Sequence, residues 1–202
     1  WATAQDVTFT NNILRHSGGG FNIAGPDDGS PSQPSRRILI KNNLIDDIDG
    51  SKWGSADYGP TDGRFAQLVG GPVNITIDHN TIFHSGALIV ADGGPSAGFV
   101  FRNNIARNNL YGVAGSDRSP GLDSLASYFP GYNFKKNVIV GVPVEIKYPT
   151  DNFLPLQLNL VGFVNLEGGD YRLSPASPYK KAGTDGKDIG CDFSALNPKI
   201  AQ

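Results

Sequence analysis

The chain has no Met, one Cys, two Trp and three His among its 202 residues. A single cysteine, Cys191, excludes an internal disulfide, and no Cys and His spacing of a zinc finger or haem site occurs. A Gly-rich phosphate loop and a nucleophile elbow are also missing, so nucleotide-dependent and serine-hydrolase chemistry find no support. No apolar run approaches the length of a membrane span, and a formal charge of −2 supplies no basic field. Neither nucleic acid nor a membrane surface is therefore an expected partner. The opening "WATAQDVTFTNN" has no basic, apolar leader, so any secretion signal has been removed or was never there.

Turn chemistry is abundant instead. The 26 Gly and 14 Pro, with many Asn, punctuate strands and interrupt helices, while 39% apolar residues suffice for one domain with a sizeable core. The composition predicts a single all-β domain over residues 1–202.

Five segments share one template of apolar, any, apolar, any, any, Asn, any, apolar: "VTFTNNIL", "ILIKNNLI", "ITIDHNTI", "FVFRNNIA" and "YNFKKNVI". They align Asn12, Asn43, Asn80, Asn104 and Asn137 in one column, with Phe9, Ile40, Ile77, Phe101 and Phe134 three residues earlier. The intervals of 31, 37, 24 and 33 residues suit one turn of a solenoid with loops of unequal length. Alternation of period 2 points one apolar set inward, and stacking at roughly 4.8 Å turns each column into a ladder. A buried Asn amide can then bond its own turn and its equivalents above and below. A third short strand follows in "GFNIAG", "FAQLVGG", "GALIVADGG" and "YGVAGSD", and residues 116–131 are expected to hold one short helix.

The order of apolar strand, Asn turn, short strand, polar bend and Gly-led strand resembles the right-handed parallel β-helix repeat proteins, which include pectate lyase-like enzymes, alginate lyases and mannuronan epimerases. The resemblance covers residues 6–146. It implies an all-β, right-handed parallel β-helix of about five to six coils with an Asn ladder. The segment "GFVNLEGGDYRLSPASPYKKAGTDGKDIGCDF" is similar to the closing segment of secreted bacterial members, so 1–146 are expected to form the repeated coils and 147–202 the last coil and a C-terminal cap. By the same likeness, a polysaccharide is the expected partner and the outside or surface of a bacterial cell the expected location. A full repeat already stands six residues into the chain. This predicts either the C-terminal part of a longer β-helix or end-on association at the N-terminal coil.

In the resembled enzymes sugar chains lie along the outer face of the Gly-led strand, where this sequence is expected to offer Asn22, Gln67, Ile89 and Gly112. Counted from the Asn anchor, position +4 reads His16, Asp47, His84 and Asn108, and position +3 reads Arg15, Asp46, Phe83 and Arg107. His16 and His84 would stand two rungs, roughly 9.6 Å, apart with Asp47 between. Such a column can share a proton or bind one divalent metal. Between "DDIDG" and "FAQLVGG" an insertion supplies Trp53 and Tyr58, whose flat faces suit sugar rings. Three chemistries stay open. A lyase or epimerase would use His16, His84 or Arg107 as base, and a hydrolase would pair Asp46, Asp47 or Asp49 as acid and base. On the other rim, Asp27, Asp28, Asp92 and Asp117 could hold calcium. A non-catalytic carbohydrate-binding or structural module is the rival. Asp78 and His79 read as scaffold, with Asp78 exposed between Lys41 and Arg102 and His79 substituting in a turn column.

Overall fold

Each repeat folds as a set of short strands. The first supplies β1 (Gln5–Thr10), β2 (Ile13–Ser17) and β3 (Phe21–Ala24). The second supplies β4 (Arg36–Lys41), β5 (Leu44–Ile48), the short helix α1 (Gly50–Trp53) and β6 (Ala66–Val69). From the third come β7 (Val73–Asp78), β8 (Thr81–His84) and β9 (Ile89–Asp92). The fourth gives β10 (Val100–Arg102), β11 (Ile105–Arg107), β12 (Val113–Gly115) and α2 (Leu122–Tyr128). The fifth gives β13 (Asn133–Lys135) and β14 (Val138–Val140), before a hairpin of β15 (Phe163–Asn165) and β16 (Asp170–Leu173). This computed structural model describes residues 3–26, 29, 32–55, 57, 59 and 61–196.

Equivalent strands pair in parallel across repeats, giving a first sheet β1-β4-β7-β10-β13, a second of β2, β5, β8, β11 and β14 in sequence, and a third of β3, β6, β9 and β12. The register of the first sheet follows the apolar columns: Phe9 pairs with Ile40, Ile40 with Ile77, Ile77 with Phe101, and Phe101 with Phe134. These side chains fill the main core with Ile45, Ile82, Ala106 and Ile139 from the second sheet. Phe101 and Phe134 stack with ring centroids 5.1 Å apart, and Tyr148 continues the stack at 5.5 Å from Phe134. None of the described helices is long and apolar enough to cross a membrane.

The Asn column is a continuous hydrogen-bond ladder. The backbone N–H of Asn12, Asn43, Asn80 and Asn104 donates to Oδ1 of the next Asn at 2.9–3.0 Å. Each side-chain amide from Asn43 on donates back to the carbonyl of the preceding repeat's apolar column, as Asn80 does to Ile40 at 3.0 Å. Each buried amide of the ladder thus has partners for both its oxygen and its nitrogen. The ladder has a sixth member that the template misses: Asn137 donates to Oδ1 of Asn152 through both N and Nδ2, at 3.0 and 2.9 Å. Residues preceding the ladder, namely Asn11, Asn42, His79, Asn103 and Lys136, all adopt left-handed φ between 52° and 59°. Asn tolerates that region best, which explains its recurrence at this corner.

The closing segment departs from expectation. Rather than sitting over the last repeat, it runs back along the outer face of the second sheet. Val161, Tyr179 and Ile189 pack with Ile105, Val138 and Val140, while Cys191 and Leu196 pack with Leu44 and Phe83. The reason is the sheet's outward face, where Ile13, Leu44, Ile105 and Val138 share one column, interrupted by Thr81, and Phe83 lies two residues along from it, an apolar strip that must be covered. Ile146 and Tyr148 join the core at the far end instead. This segment also buries Asp78, whose side chain is only 3% exposed. Asp78 accepts from His79 Nδ1 and Asn103 Nδ2, both at 2.8 Å, and faces Arg102 at 3.2 Å. Its scaffold role stands, but the exposed pairing does not, because residues 183–192 lie over that corner: Thr184 and Asp192 bond Asn103 and Asn42.

Candidate functional site

The second sheet ends in a corner where the repeats differ. In β5, two residues, Asp46 and Asp47, stand opposite one in β8, so that Ile45 pairs with Ile82 but Ile48 pairs with His84. Asp47 and His16 each take a left-handed φ, 53° and 57°, and each adds one residue to its corner. The expected His16, Asp47, His84 column therefore breaks. His16 and Asp47 project outward, whereas His84 aligns with buried Ile48 and is itself buried. Asn108, four residues past Asn104, is likewise fully buried, with Oδ1 accepting from the Tyr148 hydroxyl at 2.9 Å, so it is a core residue and not a substrate contact. The bulge also undoes the metal trio: among the described residues no group of three or more His, Cys, Asp or Glu side chains could hold a metal ion.

His16 and Asp47 form a dyad. His16 Nδ1 lies 2.8 Å from Asp47 Oδ2, which also accepts from Lys52 Nζ and Trp53 Nε1, each at 2.9 Å. Those donors hold the Asp47 carboxyl down at about 2, the Lys52 bond contributing most. An ionised carboxylate only accepts, so His16 gives Asp47 its Nδ1–H and turns Nε2 away from it. The imidazole is more than half exposed and rests against the Trp53 ring at 4.8 Å. Helix α1 places this partner set: Asp49 caps it by accepting from Ser51 N at 2.9 Å and Lys52 N at 3.3 Å, so Lys52 and Trp53 turn back over Asp47.

The dyad opens onto a cleft of about 580 Å³ that also collects Asp46, Asp49, His84 and Arg107. Arg15 pairs with Asp46 at 3.2 Å. The opposite wall belongs to the closing segment, with Leu158, Leu166, Glu167 and Tyr171. The Tyr171 hydroxyl donates to Asp46 Oδ1 at 3.3 Å, and burial raises its pKa. Nothing in the repeat template signals Tyr171 or Glu167, since the contact spans 125 residues.

No family model, curated protein or solved structure matches the chain.

Along the outer face of the third sheet, Asn22 pairs with Gln67, Gln67 with Val90 and Val90 with Ala114. These are the outward positions. Ile89 is fully buried instead, and Gly112 precedes the strand. Two depressions follow that face, one of about 640 Å³ over Asn22 and Gln67 and one of about 560 Å³ over Val90 and Ala114, with Asp62 lining both. Ser85 lines the second depression and the cleft alike, so the two features adjoin. Tyr58, Asp27 and Asp28 lie outside the described residues. Asp92 and Asp117, the rest of the expected calcium set, are both exposed.

Proposed function

We propose that the chain is a right-handed parallel β-helix that binds a polysaccharide along the third sheet and moves a proton on it in the adjoining cleft, in the manner of a lyase or epimerase. The observation that carries this reading is the His16–Asp47 dyad, which leaves an exposed, oriented Nε2 at the mouth of the cleft. A base so held can take the proton from the sugar carbon bearing a carboxylate. In a lyase the released electron pair forms a C=C bond and expels the glycosidic oxygen; in an epimerase a proton returns to the opposite face of that carbon. The Trp53 ring beside His16 offers a face for the sugar.

Hydrolysis draws less support. A hydrolase needs a protonated acid paired with a free carboxylate. Asp46 is engaged by Arg15 and Tyr171, Asp47 by three donors, and Asp49 by the start of α1. Asp47 and Asp49 are both held below the ordinary carboxylate range by these bonds.

Wild type, His16→Ala and Asp47→Asn, assayed on acidic and neutral polysaccharides for unsaturated product by ultraviolet absorbance and for reducing ends, test the proposal. Unsaturated or epimerised product from wild type alone is expected. Undiminished turnover in both variants would refute the site, and retention on a glycan affinity gel without turnover would replace it with a binding module.

A further inference from the structure

Two side chains in the cleft have no use in the dyad. His84 Nε2 is a buried polar atom with no hydrogen-bond partner. Arg107 is exposed and, among the described residues, makes no ion pair, lying only 5.8 Å from the centre of the Phe83 ring. The carboxylates on the second-sheet side have partners already, namely Arg15, Lys52 and His16, so none of them is left over for this guanidinium. Glu167, on the opposite wall, is the acidic group that completes the cleft.

The protonation of His84 follows from its neighbour. Asn109 Nδ2 lies 2.7 Å from the His84 carbonyl and 2.9 Å from the Gly86 carbonyl, which fixes that atom as the amide nitrogen. The same nitrogen cannot accept and lies 2.8 Å from His84 Nδ1, so Nδ1 faces it with its lone pair and shares the two amide hydrogens with the carbonyls. A neutral imidazole accepting at Nδ1 carries its proton on Nε2. Burial, with the charge of Arg107, holds the imidazole down at about 3, so it stays neutral over the working range of most proteins. With Nδ1 against the Asn109 amide and the proton on Nε2, His84 turns a hydrogen and not a lone pair toward the cleft. It is a fixed donor whose hydrogen has nowhere to go, a state that buried donors seldom keep without a partner.

Resting on the reading of this cleft as the place where a glycan is handled, we propose that His84 Nε2–H and the Arg107 guanidinium together receive the carboxylate of an acidic sugar unit. A neutral donor and an unpaired cation side by side complement one anionic acceptor group. A neutral sugar gives the guanidinium no charge to meet, so the pair selects for acid. The carboxylate held there would leave its neighbouring carbon to His16.

Nuclear magnetic resonance of the His84 ring nitrogens, in protein titrated with an oligogalacturonate and separately with a neutral cello-oligosaccharide, tests this. The free protein should show the proton on Nε2, and the acidic oligomer alone should shift that signal downfield. Arg107→Gln should bind the acidic oligomer about tenfold more weakly, the size of one lost charge-assisted bond, with the His84 tautomer unchanged. Asn109→Asp, which puts an acceptor against Nδ1, should reverse the tautomer and lose the selectivity; should it not fold, the first two measurements decide. A proton on Nδ1, or equal binding of both oligomers with a still His84 signal, would overturn the inference and leave the glycan reading standing. Binding of neither would overturn both.

Discussion

His16 Nδ1 and Asp47 Oδ2 meet at 2.8 Å although 31 residues separate them in the chain. One step of strand pairing between β2 and β5 brings them together, and the added left-handed residue in each corner turns both outward. The imidazole and the carboxylate that holds it thus come from two different repeats at equivalent places.

Asp47→Asn should lower turnover by about 10²-fold to 10⁴-fold, because an amide no longer fixes the His16 tautomer or stabilises its protonated form. Lys52→Ala should cost less, since Trp53 and His16 still hold the carboxylate. Steady-state rates of the two variants against pH check this; equal losses would mean that the three donors act as one unit.

His84 makes stability depend on pH in a defined window. Its folded value is depressed from 6.5 to about 3, so the unfolded chain binds a proton as pH falls past about 6.5 and the folded chain does not until about 3. Stability is full above that window and falls through it at about 1.4 kcal/mol per pH unit for this single proton. Asp47 and Asp78 act lower down: both are depressed, so what they contribute is present above the ordinary carboxylate value of 3.8 and lost below it. Urea midpoints measured across pH for wild type and His84→Leu should show a flatter upper window in the variant. Parallel curves would contradict the assignment.

Asn80→Ala should destabilise the fold by on the order of 3 kcal/mol, because it takes the Oδ1 acceptor away from Asn43 N and from one hydrogen of Asn43 Nδ2 in the interior, and removes a donor to the Ile40 carbonyl. Asn12→Ala should cost less, as Asn12 is only partly buried. Thermal or chemical denaturation of both variants gives the comparison.

Gly190 holds φ at +90°, and a Cβ there would come within 2.7 Å of both Ile105 Cδ1 and Thr81 Oγ1. Gly190→Val should therefore lift the closing segment from the second sheet. Limited proteolysis should cut within residues 183–196 in the variant and spare them in wild type.

Much of this architecture is legible in the sequence because a repeat writes its register several times. The pairing of Phe9, Ile40, Ile77, Phe101 and Phe134 follows the template column by column. Asn152 escapes it because only 15 residues separate it from Asn137, and Lys147 and Pro149 stand at its two leading apolar positions. His84 was misplaced for a physical reason: counting from the Asn anchor fails wherever one corner carries an extra left-handed residue, and side-chain type does not reveal it. Trp53 was expected to face a sugar, yet its indole N–H also secures Asp47. The far wall of the cleft had no signature at all, since Tyr171 reaches Asp46 from outside the repeats.

The strip of Ile13, Leu44, Phe83, Ile105 and Val138 has a kinetic consequence. A stack coupled only between neighbours can fray and regrow one unit at a time. Here residues 158–196 lie across several units at once, touching Asn42, Thr81, Asn103 and Val138, so they act as a strap that makes those units melt together. During synthesis the strip must wait, wet and adhesive, until the ribosome has released the strap. The interval between the fifth repeat and that release is the period in which this chain is most exposed to aggregation.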